Sequence, residues 1–481
     1  MGYVKKIIDK LLALQDRFYP EVYEYYKMGE GRVSLLRVVG IDGESVLLKV
    51  EGGRIKYARG DETPIHIFKT SVDSVPWYSP VIIKENDLVH IIPIEELWER
   101  VPGPIFVTEK GEEVKFVSGI RAYSSRRNPL WSEVKAIVRH KWKGSLIRIE
   151  TGDSVVDVSP NHSIYKKQGS AFKLVSAEEV EVGDIVLEVD FVKPKVKRHV
   201  FVGTEDLAWL LGLFLADGCA SCTKARNKFG YEYDQCYTII SNTNDEILKR
   251  AIAIFEENFH KRMFIDNKGT PEQSARCQSR DIYRYFAERF YTVGGLKKVP
   301  VEILNTPSNR IARAFLEGYY AGDGHKYPST AVTFDSNSWA LAQGILWLNS
   351  TRTWRVNCRE DKPNIVHIEL HAEQKMNPRG RYGPRREKGE VKKVWRVPYE
   401  GYMYDLVTSK GNFVTGVGGI VVHNTFLDIV SGDEDLRDAM TKGHFIIENA
   451  STGTIDLVEM ERWAKAFSRL RGLVTKYMGG R

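Results

Sequence analysis

A short segment occurs twice in this chain, and the repeat constrains the fold more than any other feature. The two copies are residues 210–218 and 316–324. Each copy carries two small residues four positions apart, so a helix built from it has one narrow face, and these residues are Gly212 with Ala216 and Gly318 with Gly322. Two such faces can approach closely. The repeat therefore predicts two packed helices whose ends bring Asp217 and Asp323 together.

Asp217 and Asp323 are the metal-ligand candidates of the sequence. Paired carboxylates offer the oxygen ligands that Mg²⁺ prefers. A divalent ion held where two equivalent helices meet can support the hydrolysis of phosphodiester bonds. We therefore predict a catalytic acid pair, and the competing interpretation is a degenerate, inactive copy of such a site.

Two positions far apart in the sequence carry the groups that a backbone needs to break and rejoin. Ser74 supplies a hydroxyl nucleophile at the first, and His423-Asn424 followed by Thr425 stands at the second. The Asn424 amide nitrogen can attack its own backbone carbonyl, and the neighbouring His423 can supply a proton. An isolated His-Asn-Thr tripeptide usually lies in an ordinary turn, so this interpretation depends on the surrounding sequence.

The two flanks, 1–73 and 425–481, form one continuous pattern when residues 74–424 are deleted. Residues 33–39, 46–50 and 65–68 are typical of strands, with Gly52-Gly53 as a turn. The helix-start signal at 70–73 then leads into 425–432, with Val72, Phe426, Leu427 and Val430 at helical spacing. We predict an α+β host domain cut mid-helix, and the plainer alternative is two ends packed around an ordinary inserted domain.

The interior contains segments in a recognisable order at both of its ends. They are 156–165, 182–186, 404–407 with 412–413, and 419–425. These segments resemble the splicing blocks of inteins, although Ser159 stands where the family usually has Thr, three residues before His162. The resemblance implies an all-β Hint-type splicing domain formed by residues 74–198 and 376–424.

The same resemblance implies a splicing reaction that needs no cofactor. Its catalytic side chains would be Ser74, Ser159, His162, Asp405, His423, Asn424 and Thr425. In the first step Ser74 converts the amide after Asp73 to an ester, His162 protonates the leaving nitrogen, and Ser159 helps to stabilise the oxyanion. The Asp73 carboxylate is expected to assist hydrolysis of this ester and to divert some chains to cleaved product.

The second half of the implied reaction takes place at the other junction. Thr425 captures the fragment 1–73 from the ester, while Asp405 steers protons. Asn424 then cyclises to a succinimide with help from His423 and releases the insert. A spontaneous shift restores an ordinary peptide bond between residues 73 and 425.

The repeated segments resemble the paired helices of the LAGLIDADG homing endonucleases. The resemblance implies an α/β domain at 199–375 with two pseudo-symmetric αββαββα-like halves, Mg²⁺ at Asp217 and Asp323, and a long double-stranded DNA target like the intein-free gene. Lys298 resembles a basic residue that would stabilise charge near the scissile phosphate. A basic run could contact phosphates or be only a charged linker, and it contains Arg379, Arg381, Arg385, Arg386, Lys388, Lys392 and Lys393.

The joined flanks resemble the sterol-carrier-protein-2-like (SCP-2-like) family. The resemblance lies in 46–50, Gly52-Gly53, the 70–432 helix and 439–443 before the strand at Phe445. It implies a split α+β host that binds a lipid or acyl chain in an apolar tunnel. Another small α/β domain is the alternative, and a host enzyme is disfavoured because the flanks carry no His/Ser/Asp constellation.

Composition sets the remaining bounds. A 481-residue chain with 42% hydrophobic and 28% charged residues predicts several domains, and a net charge of +7 permits a nucleic-acid partner. No run of 18 apolar residues or signal peptide is recognisable, so we expect no membrane span, a cytoplasmic location and a monomeric intein. Cys219 and Cys222 lack a matching second pair, which disfavours zinc. The competing class is a non-splicing multidomain DNA-binding protein with a degenerate endonuclease.

Overall fold

The computed structural model describes residues 73–424, apart from 103–104, 108–110, 125–130, 194–199, 227–228, 324, 327–330, 350–353 and 372–387, and strands in both flanks. The described strands are β1 (Leu35–Val39), β2 (Ser45–Glu51), β3 (Arg54–Lys56), β4 (His66–Lys69), β5 (Val75–Pro76), β6 (Pro80–Glu85), β7 (Leu88–Pro93), β8 (Ile105–Val107), β9 (Glu113–Phe116), β10 (Ile120–Tyr123), β11 (Trp131–Glu150), β12 (Val155–Val158), β13 (Ser163–Gln168), β14 (Ala171–Ser176), β15 (Gly218–Arg226), β16 (Glu232–Ser241), β17 (Phe264–Asp266), β18 (Ser274–Gln278), β19 (His325–Lys326), β20 (Ala331–Ser336), β21 (Trp354–Arg359), β22 (Lys362–His371), β23 (Lys393–Thr408), β24 (Asn412–Val414), β25 (Val421–His423) and β26 (Leu427–Val430). The described α-helices are α1 (Ile94–Arg100), α2 (Glu205–Asp217), α3 (Asp245–Phe259), α4 (Arg280–Phe290), α5 (Val301–Leu304), α6 (Asn309–Gly322) and α7 (Trp339–Leu348). We call residues 74–198 with 376–424 the junction domain and residues 199–375 the repeat domain.

Two long antiparallel strands organise the junction domain. β11 and β23 pair from Val134 opposite Thr408 to Glu150 opposite Lys393, within a twelve-stranded sheet. The short strand β5 adds to β23, with Val75 opposite Tyr404. This pairing fixes the first junction against the long strands.

A four-stranded sheet brings the two ends of the junction domain together. Its strand order is β14-β13-β25-β24, with Ile164 of β13 opposite Val422 of β25. The described part of the junction domain departs from the predicted all-β character at α1 and at a 3-10 helix, Ala177–Glu179. Leu97 and Trp98 of α1 are buried in the junction core.

The αββαββα order that the resemblance implied for each half of the repeat domain is complete in the first half. Its first half runs α2-β15-β16-α3-β17-β18-α4, which is the pattern αββαββα. After α5, the second half runs α6-β19-β20-α7-β21-β22, and residues 372–387, where a closing helix would follow, lie outside the described residues. Each half contributes one four-stranded antiparallel sheet, ordered β15-β16-β18-β17 and β19-β20-β22-β21.

Helices α2 and α6 are in backbone contact through their glycines. A Cβ atom on Gly212 would lie 1.8 Å from the carbonyl oxygen of Phe315, and one on Gly318 would lie 1.9 Å from that of Trp209. Such distances leave no room for a methyl group. The close helix approach predicted from the small residues is confirmed.

We expect Gly212→Ala to destabilise the full-length chain, because the new methyl must push α6 away or distort α2. Overpacking of this kind costs about 1–3 kcal/mol or more. Gly152→Ala is the control, since nothing lies within 4 Å of a Cβ at that position. Urea unfolding measures both changes, and an unchanged midpoint for Gly212→Ala would contradict the contact.

The junction and repeat domains share a buried polar interface. The side-chain amide of Asn305 hydrogen-bonds to both backbone groups of Val89 at 2.8 Å, as a neighbouring strand would. The Gly418 N–H donates to Oε1 of Gln343 at 2.7 Å. Buried apolar side chains from both domains also belong to one continuous cluster. The repeat domain is therefore packed into the junction domain rather than tethered to it.

The flank after the second junction differs from the prediction. Leu427–Val430, expected to continue a helix from residues 70–73, forms β26 and pairs antiparallel with β4, with Leu427 opposite Lys69. In the intact chain residues 74–424 separate the helix-start signal at 70–73 from Leu427–Val430, and Leu427 and Ile429 on either side of Asp428 suit a strand. The other predicted elements of residues 433–481 lie outside the described residues.

Cys222 and Cys236 lie opposite each other on β15 and β16 and form a disulfide. Within the described ranges, no group of three or more His, Cys, Asp and Glu side chains could hold a metal ion. No helix in the part of the chain that the structure describes has both the length and the apolar character needed to cross a bilayer.

Candidate functional site

The peptide bond between Asp73 and Ser74 is buried and held by several groups. The Ser74 hydroxyl donates to the carbonyl oxygen of Asp73 at 2.5 Å, and the Ser74 N–H donates to Nδ1 of His162 at 2.9 Å. Asp73 is 1% exposed and Ser74 is 0% exposed. The hydroxyl nucleophile therefore lies beside the carbonyl that it would attack, in a site closed to bulk water.

His162 lies at the nitrogen that would leave. Burial lowers the pKa of His162, and the charge of Asp73 partly opposes this effect. Nδ1 also lies 3.1 Å from the Ser74 carbonyl oxygen, so whether it accepts from the Ser74 N–H or donates to this oxygen depends on the tautomer of the ring. Nδ1 nevertheless faces the atom that must gain a proton when the peptide bond breaks, so a protonated ring would donate along the same line. The catalytic role of His162 stays a prediction.

The backbone of Ser159 contacts the peptide that follows the predicted cut. Its backbone N–H donates to the carbonyl oxygen of Ser74 at 2.9 Å, one peptide beyond the oxygen on which negative charge would develop. A backbone donor at this place orients the peptide after the cut. The oxyanion role of Ser159 stays a prediction.

The Asp73 side chain connects the two ends of the junction domain. Its Oδ1 accepts the backbone N–H of Ser163 on β13 at 2.6 Å, and its Oδ2 lies 3.0 Å from Nδ1 of His423 on β25. Burial alone would raise the pKa of Asp73, but the hydrogen bond from His423, the charge of His162 and the Ser163 N–H together hold it well below its ordinary value. The carboxylate is therefore an anion inside the site, with both of its oxygens engaged.

At the second junction Asn424 is buried beside Thr408. The Thr408 hydroxyl donates to Oδ1 of Asn424 at 2.9 Å. The Asn424 N–H donates to the Gly411 carbonyl at 3.2 Å. These contacts fix the side chain and backbone of the residue that is predicted to cyclise. Thr425, the predicted acyl acceptor, lies outside the described residues.

Asp405 lies on β23, between the two junctions. It is fully buried, and its Oδ1 accepts the backbone N–H of Leu406 at 2.7 Å. β23 pairs with β5 so that Tyr404 is opposite Val75, and extending this register by one residue brings Asp405 opposite Ser74. The predicted proton-steering residue is thus on the strand that borders the first junction.

Sequence reasoning missed two groups of this site, Ser163 and Thr408. Ser163 acts through its backbone N–H, and no side-chain pattern reveals such a contact. Thr408 carries a hydroxyl three residues after Asp405, directly after the recognised segment 404–407. A search for hydroxyl or amide groups on the strands next to Asn424 would have found it.

A second site lies in the repeat domain, where Asp217 and Asp323 stand at the ends of α2 and α6. A Cβ on Gly322 would lie 2.8 Å from Oδ2 of Asp217, so the absence of a side chain there lets the two helix ends converge. Asn242 donates to Oδ2 of Asp217 at 2.6 Å. Burial raises the pKa of both carboxyl groups, and the charge of Asp323 raises that of Asp217 further.

The acid pair has the chemistry of a divalent-cation site. Two carboxylates supply hard oxygen ligands, and Mg²⁺ commonly binds through one or two carboxylates plus water and phosphate oxygens. Desolvation makes the ionised state of each acid unfavourable, and a cation between them would relieve that cost. The donor chemistry of Asp217 and Asp323 therefore fits Mg²⁺, and metal binding by this pair stays a prediction.

Lys297 is the lysine that faces the acid pair. Its Nζ donates to the carbonyl oxygens of Leu215 and Ala216, both at 2.9 Å, at the C-terminal end of α2. Burial lowers the pKa of Lys297, whereas the charges of Asp323 and Asp217 oppose that effect. The sequence analysis had assigned the charge-stabilising role at this site to the next residue, Lys298.

Lys298, the predicted endonuclease residue, points into the interface between the domains. It is 4% exposed, and its Nζ forms an ion pair with Glu96 of α1. Glu96 also pairs with Arg100 one turn later. The two lysines alternate in direction because they follow each other in an extended segment, so only one of them can face the acids.

Exchanging each lysine for methionine separates these roles. We expect Lys298→Met to destabilise the full-length chain, at the lower end of about 3–5 kcal/mol because Glu96 keeps Arg100. If the acid pair is the predicted endonuclease site, Lys297→Met should reduce DNA cleavage by at least ~10-fold with a smaller loss of stability, since it removes a buried cation beside the phosphate that would react. Urea unfolding and cleavage of a target duplex measure both variants. Lost cleavage with unchanged stability in Lys298→Met would restore the role predicted for that residue.

The described part of the basic run pairs with acidic side chains. Lys388 pairs with Asp190, Lys392 with Glu390 and Lys393 with Glu360. Arg379, Arg381, Arg385 and Arg386 lie outside the described residues. Within the described residues this run is therefore tied to the protein surface, and phosphate contact remains only a prediction.

Comparisons with known proteins give distant matches over most of the chain. No protein-family model matches. The chain is 26% identical over 399 residues to a DNA polymerase of Acanthamoeba polyphaga mimivirus, covering 77% of this chain and 21% of that protein. It is 22% identical over 409 residues to transcription initiation factor IIB of Methanocaldococcus jannaschii, covering 82% of this chain and 56% of that protein. The chain thus spans between about a fifth and just over a half of these curated relatives.

Among solved structures, the chain is similar to a mini-intein and to a homing endonuclease. The transcription factor IIB Mvu mini-intein is 12% identical, covers 73% of this chain and 99% of its own, and gives a TM-score of 0.30. I-DmoI in complex with DNA and Mn is 19% identical, covers 34% of this chain and 89% of its own, and gives a TM-score of 0.27. I-DmoI has also been crystallised with its target DNA in the presence of Mg.

Proposed function

We propose that this chain is a precursor that excises residues 74–424 by protein splicing and joins residue 73 to residue 425. The observation that carries the proposal is the setting of the Asp73–Ser74 peptide. The nucleophile lies 2.5 Å from the carbonyl oxygen of its target, and a histidine nitrogen lies 2.9 Å from the leaving nitrogen. The Asp73 carboxylate also reaches His423, the residue before Asn424. Both junctions therefore share one buried site.

The first step is an acyl shift within residues 73–74. Ser74 Oγ forms a bond to the carbonyl carbon of Asp73, the bond from that carbon to the Ser74 nitrogen breaks, and the hydroxyl proton ends on the nitrogen. His162 donates to the leaving nitrogen when its ring is protonated. Because the amide is more stable than the ester, the site has to hold the two reacting groups in contact, as it does here.

The later steps use the groups around Asn424. Thr425 Oγ1 bonds to the Asp73 carbonyl carbon, the Ser74 ester bond breaks, and the Thr425 proton ends on Ser74. Nδ2 of Asn424 then attacks its own carbonyl carbon, and the bond to the Thr425 nitrogen breaks with transfer of one proton to that nitrogen. Thr408 holds the Asn424 side chain for this step, and Asp405 borders the strand on which the first ester forms.

The distribution of the relatives supports an element that is separable from its host. The matches cover 77% and 82% of this chain, but only 21% of a DNA polymerase and 56% of a transcription factor. A replication factor C small subunit of Methanocaldococcus jannaschii is matched over 66% of this chain and 19% of its own length. A segment carried by proteins of different names is expected if residues 74–424 form a mobile insert.

Expression of the wild-type gene tests the proposal directly. Intact-mass spectrometry should find the ligated 1–73/425–481 product and free 74–424. Persistence of only the full-length chain under folding conditions would instead favour the competing class, a permanent multidomain DNA-binding protein with a degenerate endonuclease. Unlinked 1–73, 74–424 and 425–481 without ligated product would indicate cleavage instead of splicing.

The repeat domain is proposed to be a Mg²⁺-dependent endonuclease that cleaves a long double-stranded DNA site resembling the intein-free gene. Asp217 and Asp323 would hold the ion, which supplies charge stabilisation to the phosphoryl group when bound. Asn242 orients Asp217, and Lys297 provides a fixed positive charge beside the pair. The excised 74–424 is expected to act as a monomer in the cytoplasm.

The host formed by residues 1–73 and 425–481 is proposed to be an SCP-2-like lipid or acyl-chain carrier. The support is the resemblance of its strands and turn, and the described flank strands at 35–39, 45–51 and 54–56 agree with the predicted strand–turn–strand order. Binding of a fluorescent fatty acid by the ligated product tests this proposal, and a product that binds none would favour another small α/β domain.

A further inference from the structure

The Asp73 carboxylate links the first junction to the second, although it belongs to the host flank and not to the excised segment. One oxygen is 2.6 Å from the Ser163 nitrogen, and the other is 3.0 Å from Nδ1 of His423. The strands that carry these partners are neighbours, with Ile164 opposite Val422. A side chain at the end of residues 1–73 therefore spans the pair of strands on which both splicing blocks lie.

We propose that Asp73 is a positioning residue that holds His423 until residues 1–73 have left Ser74, so that Asn424 cyclisation follows acyl transfer and does not precede it. This inference rests on the proposed splicing function and assigns the order of its steps to a host side chain.

The hydrogen bond to Asp73 restrains the His423 side chain before any bond breaks. In the unreacted chain Nδ1 of His423 is committed to a carboxylate that is 1% exposed and fixed on its other side by a backbone N–H. A charge-assisted hydrogen bond to a buried anion fixes both the tautomer and the orientation of an imidazole ring. His423 cannot turn to exchange protons at the Asn424 carbonyl or the Thr425 nitrogen without breaking that bond.

Acyl transfer requires the Asp73 side chain to move. During acyl transfer the carbonyl carbon of Asp73 leaves Ser74 Oγ and bonds to Thr425 Oγ1. The carboxylate is only two carbon atoms away from that carbonyl, so it must move with the acyl group and lose its contacts with Ser163 and His423. Release of His423 is thus tied to the covalent step that has to come first.

The two hydrogen bonds also change the expectation for Asp73 itself. A carboxylate next to an ester promotes cleavage by attacking its own carbonyl carbon, and the sequence predicted this hazard. Here both oxygens point to partners on β13 and β25. Holding the carboxylate in this way suppresses the side reaction until the ester has been transferred.

The test measures release of 425–481 in full-length chains that carry Ser74→Ala. In this background the first ester cannot form, so Asp73 stays in place and Asn424 cyclisation should be slow. Adding Asp73→Ala should accelerate release of 425–481 by about tenfold, within the range of coupling between contacting residues. Asp73→Asn should give an intermediate rate, because it keeps an acceptor for Ser163 but loses the charge. Equal or slower release from the Asp73→Ala chain would overturn the inference.

A third substitution separates positioning from a general structural effect. With His423→Ala also present, Asp73→Ala should no longer accelerate release, whereas a loosened fold would accelerate it regardless of His423. Persistent acceleration without His423 would therefore also overturn the inference.

In otherwise wild-type chains, Asp73→Ala should shift product from ligated 1–73/425–481 to 1–424 plus free 425–481. If the wild-type chain yields no ligated product, the proposed splicing function fails; if it splices normally while Asp73 has no effect on release, only the inference about Asp73 fails.

Discussion

We expect Ser74→Ala to abolish formation of the ligated 1–73/425–481 product. The substitution removes the hydroxyl proposed to replace the amide nitrogen on the Asp73 carbonyl carbon, since Ser74 Oγ lies 2.5 Å from the carbonyl oxygen. Without the ester, Thr425 has no activated acyl group to capture. Any cleavage is then confined to the bond after Asn424, and intact-mass spectrometry of the expressed chain measures both outcomes.

The complementary substitution and a matched control sharpen this prediction. Asn424→Ala should block release of 425–481 while leaving the first acyl shift available, and the double variant should persist as full-length chain. Ser79→Ala removes a hydroxyl from another buried serine of the same segment, one whose Oγ has no hydrogen-bond partner among the described residues. That control should splice normally. Ligated product from Ser74→Ala would contradict the assigned nucleophile.

Features that depend on local spacing could be predicted from the sequence. The small residues at 212, 216, 318 and 322 predicted the close contact of α2 and α6, because helix geometry brings residues four apart onto one face. The αββαββα order of the first half was implied by the resemblance of the repeated segments to the LAGLIDADG endonucleases, and periodicity alone did not give it. These features need no knowledge of which distant segments meet.

Features that depend on tertiary contacts could not be predicted in the same way. The sequence could not distinguish Lys297 from Lys298, because the choice depends on which side of an extended segment faces the acids. It identified Asp73 only by its adjacency to Ser74, since its partners Ser163 and His423 are 90 and 350 residues away. Leu427–Val430 was expected to be helical because the joined chain was considered, whereas the precursor pairs it with β4.

Asp217→Asn and Asp323→Asn should each reduce DNA cleavage by ~10²–10³-fold, because a carboxylate that holds a divalent ion contributes several kcal/mol of charge stabilisation in the transition state. The full-length chain carrying Ser74→Ala and Asn424→Ala keeps the protein intact for this assay. Cleavage of a duplex spanning the joined host gene is measured with Mg²⁺ and with a chelator. Binding of the same duplex should persist, since neither substitution removes a positive charge.

Stability gives a second readout that is independent of cleavage. Burial, with a contribution from Asp323, raises the folded-state pKa of Asp217, so the stability linked to this group is present at low pH and is lost as the pH rises through the folded-state value. At neutral pH the ionised pair therefore costs stability, and Asp217→Asn should leave the melting midpoint unchanged or higher. Mg²⁺ should raise the midpoint of the parent chain but not that of the variant. Asp206→Asn, at the opposite end of α2 in an exposed pair with Arg250, should keep both cleavage and the Mg²⁺ effect, so equal losses in both variants would mean that the acid pair is not the metal site.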